Sequence, residues 1–218
     1  MFGFLRKKPT IDAIQFPTFD WELVEQSKEA KRWIHPEQTQ VLTVNFFATA
    51  PDLPTIQDID ALRQFFRKQV ASANGGIIQI DTQQISGCTA IKTIFKFPQE
   101  PSGMTYLGSL IFPFKKYSYV VKIQAIEVGT TGLRESLILN KLMQAGAVDM
   151  GNNGFEGWSS DPYLADFGEG NVMNLSEAEA YDDQFAQHPL SQVREGLRII
   201  EKQLILEAML QKLAPFDK

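Results

Sequence analysis

Residues 77–126 carry four short runs rich in β-branched and aromatic side chains, IIQIDTQQI, TAIKTIFKF, TYLGSLIFPF and YSYVVKIQAI. They are broken at Ser86-Gly87 and between Pro98 and Gly103. Consecutive strands this close together are joined as an antiparallel meander. In the second run Ile91, Thr93, Phe95 and Phe97 share one face, and Lys92 and Lys96 the other. In the fourth, Tyr117, Tyr119, Val121 and Ile123 oppose Ser118, Lys122 and Gln124. That alternation predicts a sheet with one covered face and one wet face.

The flanking segments supply the cover. VLTVNFF, residues 41–47, reads as a further strand, ended by a loop in which Pro51 and Pro54 cannot continue central pairing. Thr55 followed by Asp58 resembles a capping arrangement, and Ile59, Leu62, Phe65, Phe66, Val70 and Ala73 recur at helical spacing. The spacing predicts a helix over 56–73, stopped by Asn74-Gly75-Gly76. A second helix is predicted over 132–144, with Thr130 or Thr131 as N-cap and a stripe of Leu133, Leu137, Ile138 and Leu142. Residues 18–34, with Phe19, Trp21, Leu23, Trp33 and Ile34 among many charges, read as an amphipathic helix or an extended cover. This order gives an α+β fold, an antiparallel meander with packing helices over 1–145. Residues 146–218 are expected to pack on the same domain as an acidic loop and C-terminal helices.

The stretch 145–175 is rich in Gly, Asn and Asp, and no Lys or Arg occurs between Lys141 and Arg194. A loop this long is either functional or held down, here by the candidate anchors Phe155, Trp158, Tyr163 and Phe167. Ser176-Glu177-Ala178-Glu179 has the form of a capping box, and His188-Pro189-Leu190 opens a last helix expected to run from about 190 to 213.

Composition narrows the function classes. With 218 residues and 44% hydrophobic content the chain buries a sizeable core, and a net charge of −5 argues against a non-specific nucleic-acid binder. Cys88 is the single cysteine, so there is no internal disulfide and no Cys/His zinc cluster. The opening MFGFLRKKP is not arranged as a secretory signal, and no run approaches the ~20 apolar residues of a membrane span. A cytoplasmic protein is expected. Phe2, Phe4 and Leu5 beside Arg6, Lys7 and Lys8 are read as a frayed or tucked-in terminus rather than a membrane contact.

Catalytic motifs are missing. Cys88 with His35 or His188 lacks a signature for nucleophilic chemistry and reads as a buried thiol, and His188 before a proline reads as a cap. Asp149, Asp161, Asp166 and Glu169 are the plausible oxygen ligands for a hard cation. The nearest calcium-type loop, DMGNNGFEGWSS, fails with Gly151 at its third position and Ser160 at its twelfth. No metal and no cofactor are therefore expected. Gly129-Thr130-Thr131-Gly132 puts free amides at a helix start, flanked by Glu127, Arg134 and Glu135, where a structural cap outweighs an anion site.

The sequence from Trp33-x-x-Pro36 through PDLPTIQDIDALRQFFRK, GCTAIKTIFKF, MTYLGSLIFPF and YSYVVKIQAIEVGTTGLRES resembles the PsbP and Mog-like α/β/α superfamily, which includes the bacterial DcrB-type domains. The resemblance covers about residues 33–145 and brings no functional residue with it. It implies binding rather than catalysis, since such proteins are mainly photosystem subunits, a binder of a small GTPase and chaperones for secreted effectors. The expectation is a bacterial-type, non-enzymatic binding or adaptor protein with a protein partner. Arg134, Glu135, Trp158, Asp161 and Tyr163 are the candidate binding residues. The alternative is a hydrolase or ligand-dependent enzyme with a site between the acidic loop and the helix starting near Gly132.

Overall fold

The computed structural model describes residues 8–152 and 154–216. The apolar and basic opening, residues 1–7, lies outside them. In chain order the elements are β1 Ile14–Gln15, β2 Glu22–Gln26, β3 Ala30–Ile34, β4 Gln40–Phe47, α1 Ile59–Ser72 and β5 Gly76–Ile85. There follow β6 Cys88–Pro98, β7 Met104–Pro113, β8 Ser118–Ile126, α2 Leu133–Gln144, β9 Asp149–Gly151, β10 Gly154–Glu156, α3 Pro189–Gln203 and β11 Ile205–Leu206. Among the described residues the main sheet has seven antiparallel strands in the order β2-β3-β4-β8-β7-β6-β5. The fold is the expected α+β type. Residues 18–34 are extended rather than helical: β2 and β3 form a hairpin in which Ser27 Oγ accepts from the Ala30 amide.

The expectation of a single wet face needs correction. Ile80, Ile91 and Phe95 meet Leu62, Phe66 and Val70 of α1 on one face. On the other face, Ala90, Ile94, Tyr106, Leu110, Val121 and Ile123 pack against Leu190, Val193, Leu197 and Ile200 of α3. The β6 end is thus covered on both sides. Lys92 and Lys96, which the alternation assigned to water, lie under this second cover and pair with Glu201 and Glu177 at 2.7 Å each. Close approach of α3 depends on Gly108, where an added Cβ would stand 2.6 Å from Val193 Cγ1.

Several boundaries also move for physical reasons. The cap of α1 is Asp58, whose carboxylate accepts from the amides of Asp60 and Ala61, and not Thr55. The cap of α2 is Gly132 in the left-handed region, at φ 71°, rather than a threonine. α2 turns Arg134 and Ile138 inward and leaves Leu133 and Leu137 exposed, because the Arg134 guanidinium has buried partners to reach. The last helix ends at Gln203, ten residues before the expected limit of 213, because Leu204 turns extended and β11 pairs with β1. Among the described residues no helix is long and apolar enough to cross a membrane.

Candidate functional site

The acidic stretch is fastened to the sheet at several points. Asn174 caps a single 3₁₀ turn, Leu175–Glu177, in a capping box closed by Glu177. The box is therefore Asn174-x-x-Glu177, not the expected one beginning at Ser176, whose Oγ donates to Asn174 Oδ1 at 2.6 Å. The Glu177 carboxylate accepts from Lys96 Nζ at 2.7 Å, Tyr106 Oη at 2.9 Å and the Asn174 amide at 2.8 Å. Burial, with Glu177 next in importance, pushes the Tyr106 phenol well above its usual range.

Arg134 is 1% exposed, and its bonds all run inward. Its Nε donates to the Ser176 carbonyl at 2.7 Å, Nη1 to Ser191 Oγ at 2.9 Å, and Nη2 to the Ala178 carbonyl and Asp182 Oδ1 at 3.0 Å. Arg194 Nη1 shares Asp182 Oδ1 at 2.9 Å. Glu135, the next residue of α2, accepts from Asn174 Nδ2 at 2.6 Å, and burial first, then Glu177 and Glu127, holds its carboxyl above the ordinary value.

The other nominated residues sit elsewhere. Asp161 makes a two-point pair with Arg67 at 2.9 and 3.0 Å and also accepts from the amides of Tyr163 and Leu164. Tyr163 Oη accepts from the Ile80 amide on edge strand β5 at 2.7 Å, and Arg63 lies 3.8 Å over its ring. Trp158 packs with Ile138 and Val148. Phe155, an expected anchor, is exposed in the β9–β10 hairpin. Arg134 and Glu135 thus belong to one cluster and Asp161 and Tyr163 to another.

A concavity beside the start of α2 holds about 610 Å³ and runs past Ile126, Glu127, Val128, Thr130, Leu133 and Arg134 to the 183–189 segment, with no residue of the acidic stretch in its lining. Glu127 forms part of its floor. Its Oε1 accepts from the Gly132 amide at 3.1 Å, so one of the chain's own carboxylates occupies the anion position at the start of α2. His188 Nε2 stands 3.4 Å from the same oxygen, while His188 Nδ1 accepts from the Leu190 amide as the cap of α3. Burial raises the Glu127 carboxyl, but the bonds from His188, Gly132 and Met104 prevail and hold it below the ordinary value. Cys88 is buried, with its thiol pushed up by desolvation, and makes no hydrogen bond to a histidine among the described residues.

Sequence reasoning passed over Lys96, Tyr106, Arg67 and Asp182. None lies in a motif, and each acquires its partner from more than eight residues away. Among the described residues no group of three or more His, Cys, Asp or Glu is arranged to hold a metal ion, and Asp161 is engaged by Arg67.

No protein-family model matches the sequence, and no curated protein matches it. Solved structures do. The Saccharomyces cerevisiae Ran-binding protein Mog1p is similar over 91% of this chain and 93% of its own, at 9% identity and a TM-score of 0.48. LpqN of Mycobacterium tuberculosis, described as involved in cell envelope biogenesis, is similar over 89% of this chain and 83% of its own, at 11% identity and 0.35. A Bacteroides thetaiotaomicron protein matches at 13% identity and 0.34, over 54% of this chain, which spans only 39% of that one. Each of these TM-scores is below 0.5, and no superfamily or role is carried from these structures to this chain.

Proposed function

We propose that the chain is a non-catalytic binding protein whose 610 Å³ groove takes a basic, amphipathic segment of a protein partner. The lining carries this reading. Val128 and Leu133 are 59% and 51% exposed, and beside them Glu37 and Asp183 have no ion-pair partner among the described residues. Exposed apolar side chains rimmed by free carboxylates complement a segment that is apolar on one side and cationic on the other. In this reading Arg134 lines the groove and anchors the 176–182 segment that leads into its 183–189 wall, while Glu135, Trp158, Asp161 and Tyr163 fix the acidic stretch, which contributes no lining residue. The cytoplasmic, bacterial-type setting is part of the proposal.

Affinity capture from the native cell, run in parallel with wild type and Val128→Lys/Asp183→Lys, tests it. Both positions are exposed, so the variant keeps its fold. The partner recovered with wild type is expected to be lost from the variant, and its full retention contradicts the groove.

One observation favours a second reading. The groove is lined by an imidazole and a carboxylate 3.4 Å apart, His188 and Glu127, the residue types that the hydrolase alternative requires, and the ring acts as a base only once Nδ1 releases the Leu190 amide. Turnover across a panel of ester and amide substrates that disappears in Glu127→Gln would support it. No turnover above that of the variant favours the binder.

A further inference from the structure

α1 covers only part of its face of the sheet. Its apolar partners lie on β5, β6 and β7, and the same face continues uncovered across β8, β4 and β3. There Ile34, Val41, Gln124 and Leu107 form the cross-strand row beside that of Lys122, in an open concavity of about 400 Å³. The register sets Lys122 opposite Thr43, and Thr43 opposite Arg32, so two cations flank one threonine on adjacent strands. Arg32 reaches Glu25 at 3.2 Å on the outer side. Lys122 is half-buried and makes no ion pair or hydrogen bond among the described residues. Burial first, then the charge of Arg32, holds its ammonium below the usual lysine range. On the same face, two residues along β4, Asn45 Oδ1 is buried without a hydrogen-bond partner.

We propose that this uncovered half-face is a docking surface for an α-helix of a protein partner, which lies beside α1 and presents a carboxylate to Lys122. Width fits the occupant: β8, β4 and β3 with the flank of β7 span roughly 10–14 Å, about one helix diameter. Charge fits as well. A half-buried cation faced by another cation is relieved by an anionic neighbour, and the row holding Ile34, Val41 and Leu107 meets the stripe of an amphipathic helix. The surface is separate from the groove described above and shares no lining residue with it.

The test uses the full chain and two synthetic 18-residue helical peptides, designed with a leucine stripe and either Glu or Lys at its centre. Titration followed by fluorescence anisotropy is expected to show binding of the Glu peptide in preference to the Lys peptide. Lys122→Glu should weaken the Glu peptide by roughly tenfold or more and invert the preference. Lys122→Met keeps the apolar stem and guards against a misfolded charge reversal; it should abolish the discrimination. Val128→Lys/Asp183→Lys should leave it intact, which separates failure here from failure of the groove. Binding of neither peptide, or equal binding of both, overturns the proposal. So does unchanged discrimination in Lys122→Met, Lys122-dependent binding of phosphatidylserine vesicles in place of peptide, or a dimer of the chain that Lys122→Met dissolves.

Discussion

Lys96 Nζ stands 2.7 Å from Glu177 Oε2 with both side chains only 2% exposed, which ties the end of the acidic stretch to β6, the strand beside the β5 edge. Removing one member leaves the other charge buried without its partner. Lys96→Met is expected to destabilise by about 3–5 kcal/mol. Lys96→Met/Glu177→Gln should recover part of that, because the glutamine is neutral, its oxygen still accepts from the Asn174 amide and its NH2 donates to Tyr106 Oη. Urea unfolding of these two variants and of Glu177→Gln checks both values, and additive losses would show that the pair is not coupled.

Arg134 serves four acceptors from a planar fork. A lysine offers a charge at one point and cannot reach Ser176, Ser191 and Asp182 together. Arg134→Lys is expected to lose about 2–4 kcal/mol of stability despite its conserved charge, because buried acceptors are left unpaired. A shift of the unfolding midpoint comparable to that of Arg134→Met would be seen; near-wild-type stability of the lysine variant would contradict the assignment.

Tyr163 covers the Ile80 amide on edge strand β5, with the two-point Arg67–Asp161 pair beside it. The stretch 149–170 is therefore expected to be ordered without any partner, since these anchors offset part of the entropy of fixing it. Amide exchange provides the measure. Tyr163→Phe should speed exchange at Ile80 by an amount equivalent to roughly 1–3 kcal/mol. Rapid exchange and protease cleavage throughout 149–170 in wild type would mean that the segment orders only on binding.

The Glu135 carboxyl titrates above its ordinary value in the fold, so the folded state binds its proton more readily than the unfolded state does. Its ionisation therefore opposes folding above the raised value, and the penalty vanishes below the ordinary one. Glu135→Gln keeps the acceptor for Asn174 and should stabilise the protein at neutral pH, with the gain shrinking to nothing as pH falls through that window. Glu127 works in the opposite sense: its depressed carboxyl stabilises the fold above the ordinary value, and this is lost as pH falls through the depressed one. Thermal melts of wild type and Glu135→Gln across pH isolate the first effect, and a pH-independent gain would contradict it.

Local signals carried much of the architecture. The positions Leu62, Phe66 and Val70 at helical spacing gave α1, the four β-branched runs gave β5 to β8, and His188-Pro189 gave the start of α3. What could not be read was whatever depended on a distant partner. Lys92 and Lys96 have the residue type of a wet face, and only the arrival of Glu201 and Glu177 in space makes their burial tolerable. The β2–β3 hairpin was ambiguous because Leu23 and Val24 are adjacent apolar residues without alternation, on an exposed edge strand. α3 was overextended because Leu204 continues the apolar stripe although β1 captures the next residues. The candidate site suffered most: Arg134, Asp161 and Tyr163 were legible as unusual residues, but their inward bonds, and the groove formed beside Arg134, are products of packing.

The groove is tested most directly by titrating the full chain with a synthetic amphipathic peptide that carries a leucine stripe flanked by lysines, in low and then in high salt. The account predicts saturable binding that weakens as salt rises, falls by about tenfold or more in Val128→Lys/Asp183→Lys, and is unaffected by Lys122→Met. Equal affinity of wild type and the groove variant, or tighter binding of an acidic peptide of the same pattern, would contradict it.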